Sequence, residues 1–145
     1  MTEEERLQII KEVVSGLIPA TAAQIGAALG HLSRELGRVN RELTEAQKLV
    51  PKLTRAYQKA FDQVLIRLTN PPGENEVPVM VTVAKAMARI NPEVYALGLA
   101  LDVAKHDVQR LENDFKELQD RIRVGQTNAA TVRAEAGLIG YGGTP

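Results

Sequence analysis

Apolar side chains recur along two long stretches of the chain at spacings that alternate between four and three residues. The first series is Ile25, Leu29, Leu32, Leu36, Val39, Leu43, Ala46, Val50, Leu53, Tyr57, Ala60 and Val64. The second series is Leu97, Leu101, Ala104, Val108, Leu111, Phe115, Leu118, Ile122, Gly125, Ala129, Val132, Ala136 and Ile139. This heptad spacing places each series on one helix face and predicts two long helices that pack through these seams.

Capping and breaking residues predict where the helices begin and end. Thr2 and Glu5 have the spacing of a capping box, which predicts a short first helix from residue 2 to about residue 17. Asn91 followed by Pro92 is typical of a helix start. Pro51 lies inside the first seam without changing its register, so we expect a kink there rather than a break.

These signals divide the chain into three parts. We expect a short N-terminal helix in residues 1–18, a helical hairpin over 19–139 and a flexible tail over 140–145. Within the hairpin, the predicted segments are long helices at about 20–69 and 92–139, a Pro/Gly turn at 70–77 and a short helix at 78–90.

The predicted fold class is therefore all-α, a long antiparallel, coiled-coil-like helical hairpin. Such a hairpin buries little area per residue, and Leu49, Leu99 and Val124 fall outside the seams, where they would stay exposed. We therefore expect the chain to assemble into a homo-oligomer, although the period does not reveal the number of subunits.

Composition argues against an enzyme. The chain has no Cys or Trp, only 3% aromatic residues, and two histidines, His31 and His106. These residues offer neither thiolate chemistry, nor a zinc ligand set, nor a His-based triad, and no phosphate-binding glycine loop or pair of catalytic carboxylates occurs. We expect no catalytic residue, no metal and no cofactor.

The N-terminus predicts a cytoplasmic protein. Residues 3–5 are glutamates, where a secretory signal peptide would be basic. Residues 13–33 carry no charged side chain and have about the length of a membrane span. However, this region contains Pro19, three glycines and many alanines, which favour a helix packed against protein.

Charge is balanced overall, with 18 basic and 18 acidic residues, but it is uneven along the first long helix. Between Ala46 and Phe61 there are four basic residues and no acid. The outer positions from residue 34 onward carry seven basic residues, namely Arg34, Arg38, Arg41, Lys48, Lys52, Arg55 and Lys59. Regularly spaced cations on a rigid helix are suited to following a nucleic-acid backbone. An ordinary solvated face, or pairing with a neighbouring subunit's acidic helix, explains the same pattern.

Two smaller features carry alternative interpretations. Arg121, Arg123 and Arg133 flank Gly125, where close approach of two backbones favours subunit packing over ligand access. Tyr57 lies among basic residues and could stack on bases, but its seam position favours a place in the core.

The order of features resembles the recombination mediators of T-even-like phages, the UvsY type. The matching segments, within about residues 30–140, are the basic and aliphatic run 64–68, the acidic loop 72–76, and the terminal stretches 118–125 and 132–137. The resemblance implies a homo-oligomer that binds single-stranded DNA and contacts a recombinase and a single-strand binding protein. The family's basic patch carries over at Arg67, whereas Leu65 stands where the family has a lysine.

These observations predict a non-enzymatic, homo-oligomeric accessory protein that binds single-stranded DNA and helps load a recombinase. The candidate contact residues are Arg34, Arg38, Arg41, Lys48, Lys52, Arg55, Lys59, Arg67, Arg121 and Arg123. Two alternatives stay open. One is a phage structural or assembly protein, such as a small terminase subunit, scaffold or adaptor; the other is a general coiled-coil adaptor for protein partners.

Overall fold

The computed structural model describes residues 1–142, and these residues form helices without any strand. The elements are α1 (Glu3–Ser15), α2 (Ala22–Thr69), α3 (Val81–Ile90) and α4 (Pro92–Gly142). The prediction of an all-α fold is confirmed. None of these helices has a stretch that is long and apolar enough to cross a membrane. The uncharged region 13–33 is divided between the end of α1, a connection and the start of α2.

Side-chain caps set the first residues of three helices. The Thr2 hydroxyl accepts from the backbone N–H of Glu5 at 3.2 Å, and the Glu5 carboxylate accepts from the Thr2 N–H at 2.9 Å, so the predicted capping box is present. Thr21 and Gln24 make the same reciprocal pair at the start of α2. The Asn91 side chain accepts from the backbone N–H groups of Glu93 and Val94 at the start of α4.

Two predicted segments differ clearly from their predicted limits. The short helix predicted at 78–90 begins only at Val81, because the Val79 N–H donates to the carbonyl of Leu68 at 2.9 Å and holds this segment out of the helix. Residues 140–142, predicted as part of a flexible tail, belong to α4, since a glycine weakens a helix without ending it. Residues 143–145 lie outside the described residues. Helix α2 passes through Pro51 unbroken.

The seam prediction is confirmed by burial. No seam position from Ile25 to Val64, or from Leu97 to Val132, is exposed. Ala136 is exposed, and the side chain of Ile139 lies outside the described residues. Leu49, Leu99 and Val124, which were predicted to stay outside the packed face, are 44%, 50% and 50% exposed.

The chain divides into two compact units, and α2 and α4 contribute to both. The terminal unit comprises Met1–Glu42 and Leu111–Pro145, and the central unit comprises Leu43–Arg110.

Three helices meet in the terminal unit around Gly125. A methyl group at this position would lie 2.5 Å from the Val14 side chain of α1 and 2.6 Å from the Leu29 side chain of α2. Val14, Ile25 and Leu32 are almost fully buried. Glycine is therefore favoured at this contact by the close approach of α1 and α2 to α4. Gly125 packs within one chain, and the subunit packing expected for it stays a prediction.

The central unit packs the second half of α2 with α3 and the first half of α4. Tyr57 of α2 lies against Gly98 of α4, where an added methyl group would be 3.3 Å from the tyrosine ring. Helix α3 buries Ala84 and Ala88, and Val94 at the start of α4 is fully buried. Small side chains thus form much of the contact surface of this unit.

Candidate nucleic-acid interface

The strongest candidate site is a row of four basic side chains on α2 within the central unit. We call Lys48, Lys52, Arg55 and Lys59 the basic ridge. Intervals of four, three and four residues keep them on one helix face, and about 16 Å of helix axis separates the first from the last. All four are exposed, whereas the seam residues between them are buried or half-buried. The ridge therefore faces away from the packed side of α2.

Most of the ridge has no acidic partner. Lys52, Arg55 and Lys59 make no salt bridge with any residue that the structure describes. Lys48 lies 3.4 Å from a carboxylate oxygen of Glu45, but both side chains are at least 70% exposed. An ion pair this exposed contributes little stability and is easily exchanged for another anion. The ridge thus presents four positive charges that a polyanion could neutralise.

The surface along the ridge is not purely charged. An open depression of about 530 Å³ follows the helix beside Pro51 and is lined by Glu45, Lys48, Leu49, Pro51, Lys52 and Arg55. The Leu49 side chain is 44% exposed there. An apolar patch among cations offers a surface against which a nucleobase can rest while its phosphates meet the ridge.

The predicted basic residues that precede the ridge on α2 lie in the terminal unit, and their neighbouring side chains differ from those of the ridge. Arg38 bonds to Glu35 and also to Glu42, one helical turn away on either side. The hydrogen bond from Arg38 lowers the pKa of Glu35, and the same bond raises the pKa of the guanidinium. Arg34 and Arg41 make no salt bridge within the described residues, and Arg34 borders an apolar groove that also contains His31.

The remaining predicted DNA-contact residues differ in whether they have an acidic partner. Arg67 makes no salt bridge among the described residues and lies in the last turn of α2, where a cation also interacts favourably with the helix dipole. Arg121 bonds to Glu117 at 2.7 Å, and Arg123 lies 3.8 Å from Asp120. The structure therefore gives Arg121 and Arg123 local acidic partners on α4, in contrast to the ridge.

The aromatic residues near the ridge lie on the packed side of α2. The rings of Tyr57 and Phe61 stack with their centroids 6.2 Å apart and their planes at 23°. Both are half-buried, and Tyr57 also contacts Gly98. This supports the interpretation of Tyr57 as a core residue and leaves base stacking to other surfaces.

Sequence reasoning missed a charged cluster in the terminal unit. Lys11 of α1, Glu35 of α2 and Glu117 of α4 line one cleft, and the Lys11 charge contributes to lowering the pKa of both glutamates. The hydrogen bond from Arg121 is the larger cause for Glu117. The Arg38–Glu35 and Arg121–Glu117 pairs are three and four residues apart on one helix, so their spacing could have identified them. The position of Lys11 depends on how α1 packs.

No group of three or more His, Cys, Asp or Glu side chains is arranged to hold a metal ion in the part of the chain that the structure describes. Comparison with known proteins finds no matching family, no similar curated protein and no similar solved structure.

Proposed function

We propose that the protein is a non-enzymatic, homo-oligomeric accessory protein that binds single-stranded DNA through the basic ridge. The observation that carries this proposal is the alignment of Lys52, Arg55 and Lys59 on one exposed helix face without acidic partners in the described residues. Cations held at fixed spacing displace the counterions condensed on a phosphate backbone, and the release of those ions drives binding.

The ridge favours contacts that do not depend on base sequence. Lysine and arginine side chains on a row contact phosphates, which position a strand without identifying its bases. A single row of about 16 Å on one helix is suited to one strand, and exposed Leu49 supplies an apolar surface beside it. We therefore propose sequence-independent binding with a preference for single strands over duplex.

The resemblance to phage recombination mediators supplies the finer proposal. The protein would hold single-stranded DNA while a recombinase replaces a single-strand binding protein on it. Arg67 is the basic position that the resemblance implies, and it lies on α2, the helix that also carries the ridge. The test is whether the protein restores strand-exchange activity of a recombinase on DNA that is coated beforehand with a single-strand binding protein. No restoration at saturating protein would contradict the mediator role and leave DNA binding to be judged separately.

DNA binding itself is tested by fluorescence anisotropy of a labelled single-stranded oligonucleotide, with duplex of equal length for comparison. Four neutralised phosphates predict a loss of affinity of about 50-fold between about 50 and 200 mM salt. The variant K48Q/K52Q/R55Q/K59Q should bind weakly and lose most of this salt dependence, with helicity unchanged because all four side chains are exposed.

The matched control removes the same charge elsewhere. R6Q/K105Q/K116Q/R133Q changes four exposed basic residues outside α2, so a general effect of net charge would weaken both variants equally. Equal affinities of the ridge variant and the unmodified protein would remove the ridge from the proposal. No binding at low salt would overturn the proposal and favour the assembly-protein or adaptor alternatives.

A further inference from the structure

Helix α3 exposes its large apolar side chains and buries its small ones. Ala84 and Ala88 are fully buried, whereas Met80, Val83, Met87 and Ile90 are 75%, 49%, 41% and 75% exposed. We call these four residues the α3 face. Their spacing of three and four residues places them on one side of the helix, and Lys85 and Arg89 lie on the other side. Alanines let α3 lie close to the rest of the central unit while its larger side chains point outward.

A second apolar stripe follows at the start of α4. Tyr95, Leu99 and Val103 recur every four residues and are 59%, 50% and 61% exposed. They lie outside the seam formed by Leu97, Leu101 and Ala104, which is buried or half-buried. We call them the α4 stripe. The central unit thus carries apolar surface on two consecutive helices that its own core does not cover.

The exposed area of these two surfaces matches one side of a protein dimer. With roughly 150 Å² for each fully exposed large apolar residue, the α3 face, the α4 stripe and Val77, which precedes α3, expose on the order of 750 Å². A stable interface buries about 800 Å² on each partner, and a soluble monomer rarely leaves a larger continuous patch open.

We infer that a second copy of this chain docks on the α3 face and the α4 stripe. A two-fold interface brings the same patch of both copies together, so it must tolerate its own charges. Few charges lie on this surface, because Lys85 and Arg89 are on the opposite side of α3 and Asp102 is the one charged residue between Tyr95 and Val103. The methionine side chains of the α3 face also adapt readily when identical surfaces pack.

Docking here leaves the basic ridge open. The ridge lies on the exposed side of α2, whereas the docking surface belongs to α3 and to the outer positions of α4. A dimer of this kind therefore carries two ridges, and two ridges double the number of phosphates that one assembly can neutralise. The dimer specifies the homo-oligomer of the proposed function, and the doubling of ridges rests in addition on the proposed DNA binding.

The dimer is tested by the mass of the protein in solution, measured by sedimentation or light scattering across a concentration series. We expect twice the 15.8 kDa of one chain. The variant M80E/I90E should raise the dissociation constant at least about 100-fold, because it puts charges into the apolar surface. Both side chains are 75% exposed in the single chain, so its helicity should be unchanged.

Control variants separate the two proposals. L17E/L138E introduces the same charges at two side chains of the terminal unit that are 78% and 72% exposed, and it should dimerise normally. The ridge variant K48Q/K52Q/R55Q/K59Q should also dimerise normally while losing DNA. A monomeric unmodified protein at about 100 µM, or an assembly of M80E/I90E as stable as that of the control, overturns the docking surface whatever the result with DNA.

Discussion

The two units are built on the same heptad pattern but use their remaining surface differently. The terminal unit adds α1 as a third helix, and Val14, Ile25 and Leu32 are each less than 2% exposed there. In the central unit Val94 and the two small residues Ala84 and Ala88 are buried to that degree. Among the side chains that the structure describes, eleven of the seventeen exposed large apolar ones lie in the central unit, because its third helix, α3, packs through alanines and leaves its larger side chains outside.

The two units also differ in how their charged side chains are paired. In the terminal unit, Arg38 and Arg121 bond to glutamates of their own helices, and Lys11 lies close to both of those acids. In the central unit, three of the four ridge cations have no acidic partner among the described residues. The seams determine the fold of both units. Outside the seams, the terminal unit pairs some of its charges internally, although Arg34 and Arg41 make no salt bridge among the described residues, whereas the ridge of the central unit stays largely unpaired there.

The largest expected effect comes from placing a charge in a seam of the terminal unit. Leu111 is 5% exposed, so Leu111→Asp buries a carboxylate without a partner and should cost about 4 kcal/mol of the free energy of unfolding. Urea unfolding followed by circular dichroism measures this cost. Leu138→Asp is the matched change at a side chain that is 72% exposed, and its effect should stay within about 0.5 kcal/mol. Equal stability of the two variants would contradict the seam assignment.

A smaller difference in stability is expected between alanine substitutions at the two glycines where helices approach closely. Gly125→Ala places a methyl group against Val14 and Leu29 at distances that require movement, so we expect destabilisation of about 1–3 kcal/mol. Gly98→Ala meets only the edge of the Tyr57 ring, at 3.3 Å, and gains helix propensity of up to about 1 kcal/mol. Thermal unfolding of both variants checks this difference. A Gly125→Ala protein that is as stable as Gly98→Ala would mean that α1 packs less closely than the structure has it.

Local signals made much of the fold predictable. The alternating seams as far as Val132, the Thr2 and Asn91 caps and the break after Thr69 depend on residues that are close together in the sequence, and the structure contains them, whereas seam position Ala136 is exposed. The capping pair of Thr21 and Gln24 was readable in the same way but was not identified. Residue spacing also indicated the four ridge positions, because a helix converts intervals of three and four directly into one face.

Features that depend on tertiary packing could not be predicted from the sequence. Helix α3 has apolar residues around more than half of its circumference, so its pattern did not show that Ala84 and Ala88 would be buried and Met80 and Ile90 exposed. The contact of Val14 with Gly125 joins residues that are far apart in the chain. The position of Lys11 beside Glu35 and Glu117 follows from that contact and was unpredictable for the same reason.

The smallest expected effect concerns the acids of the terminal unit. Hydrogen bonds from Arg38 and Arg121 lower the pKa of Glu35 and Glu117 from the usual value of 4.5. Because the folded-state pKa is the lower one, this stabilisation is present above about pH 4.5 and is lost as the pH falls through the folded-state value. These carboxylates are partly exposed, so the contribution is below about 1 kcal/mol.

Replacing both acids tests that contribution and the contrast between the units at once. E35Q/E117Q should be slightly less stable than the unmodified protein at pH 7, and its free energy of unfolding should fall less between pH 7 and pH 3. E74Q/E135Q removes two exposed acids that line no cleft with Lys11, and it should keep the acid sensitivity of the unmodified protein. Equal acid sensitivity of E35Q/E117Q and E74Q/E135Q would show that the paired charges of the terminal unit contribute no more to stability than ordinary surface charges. The contrast between the units would then rest on their apolar surfaces alone.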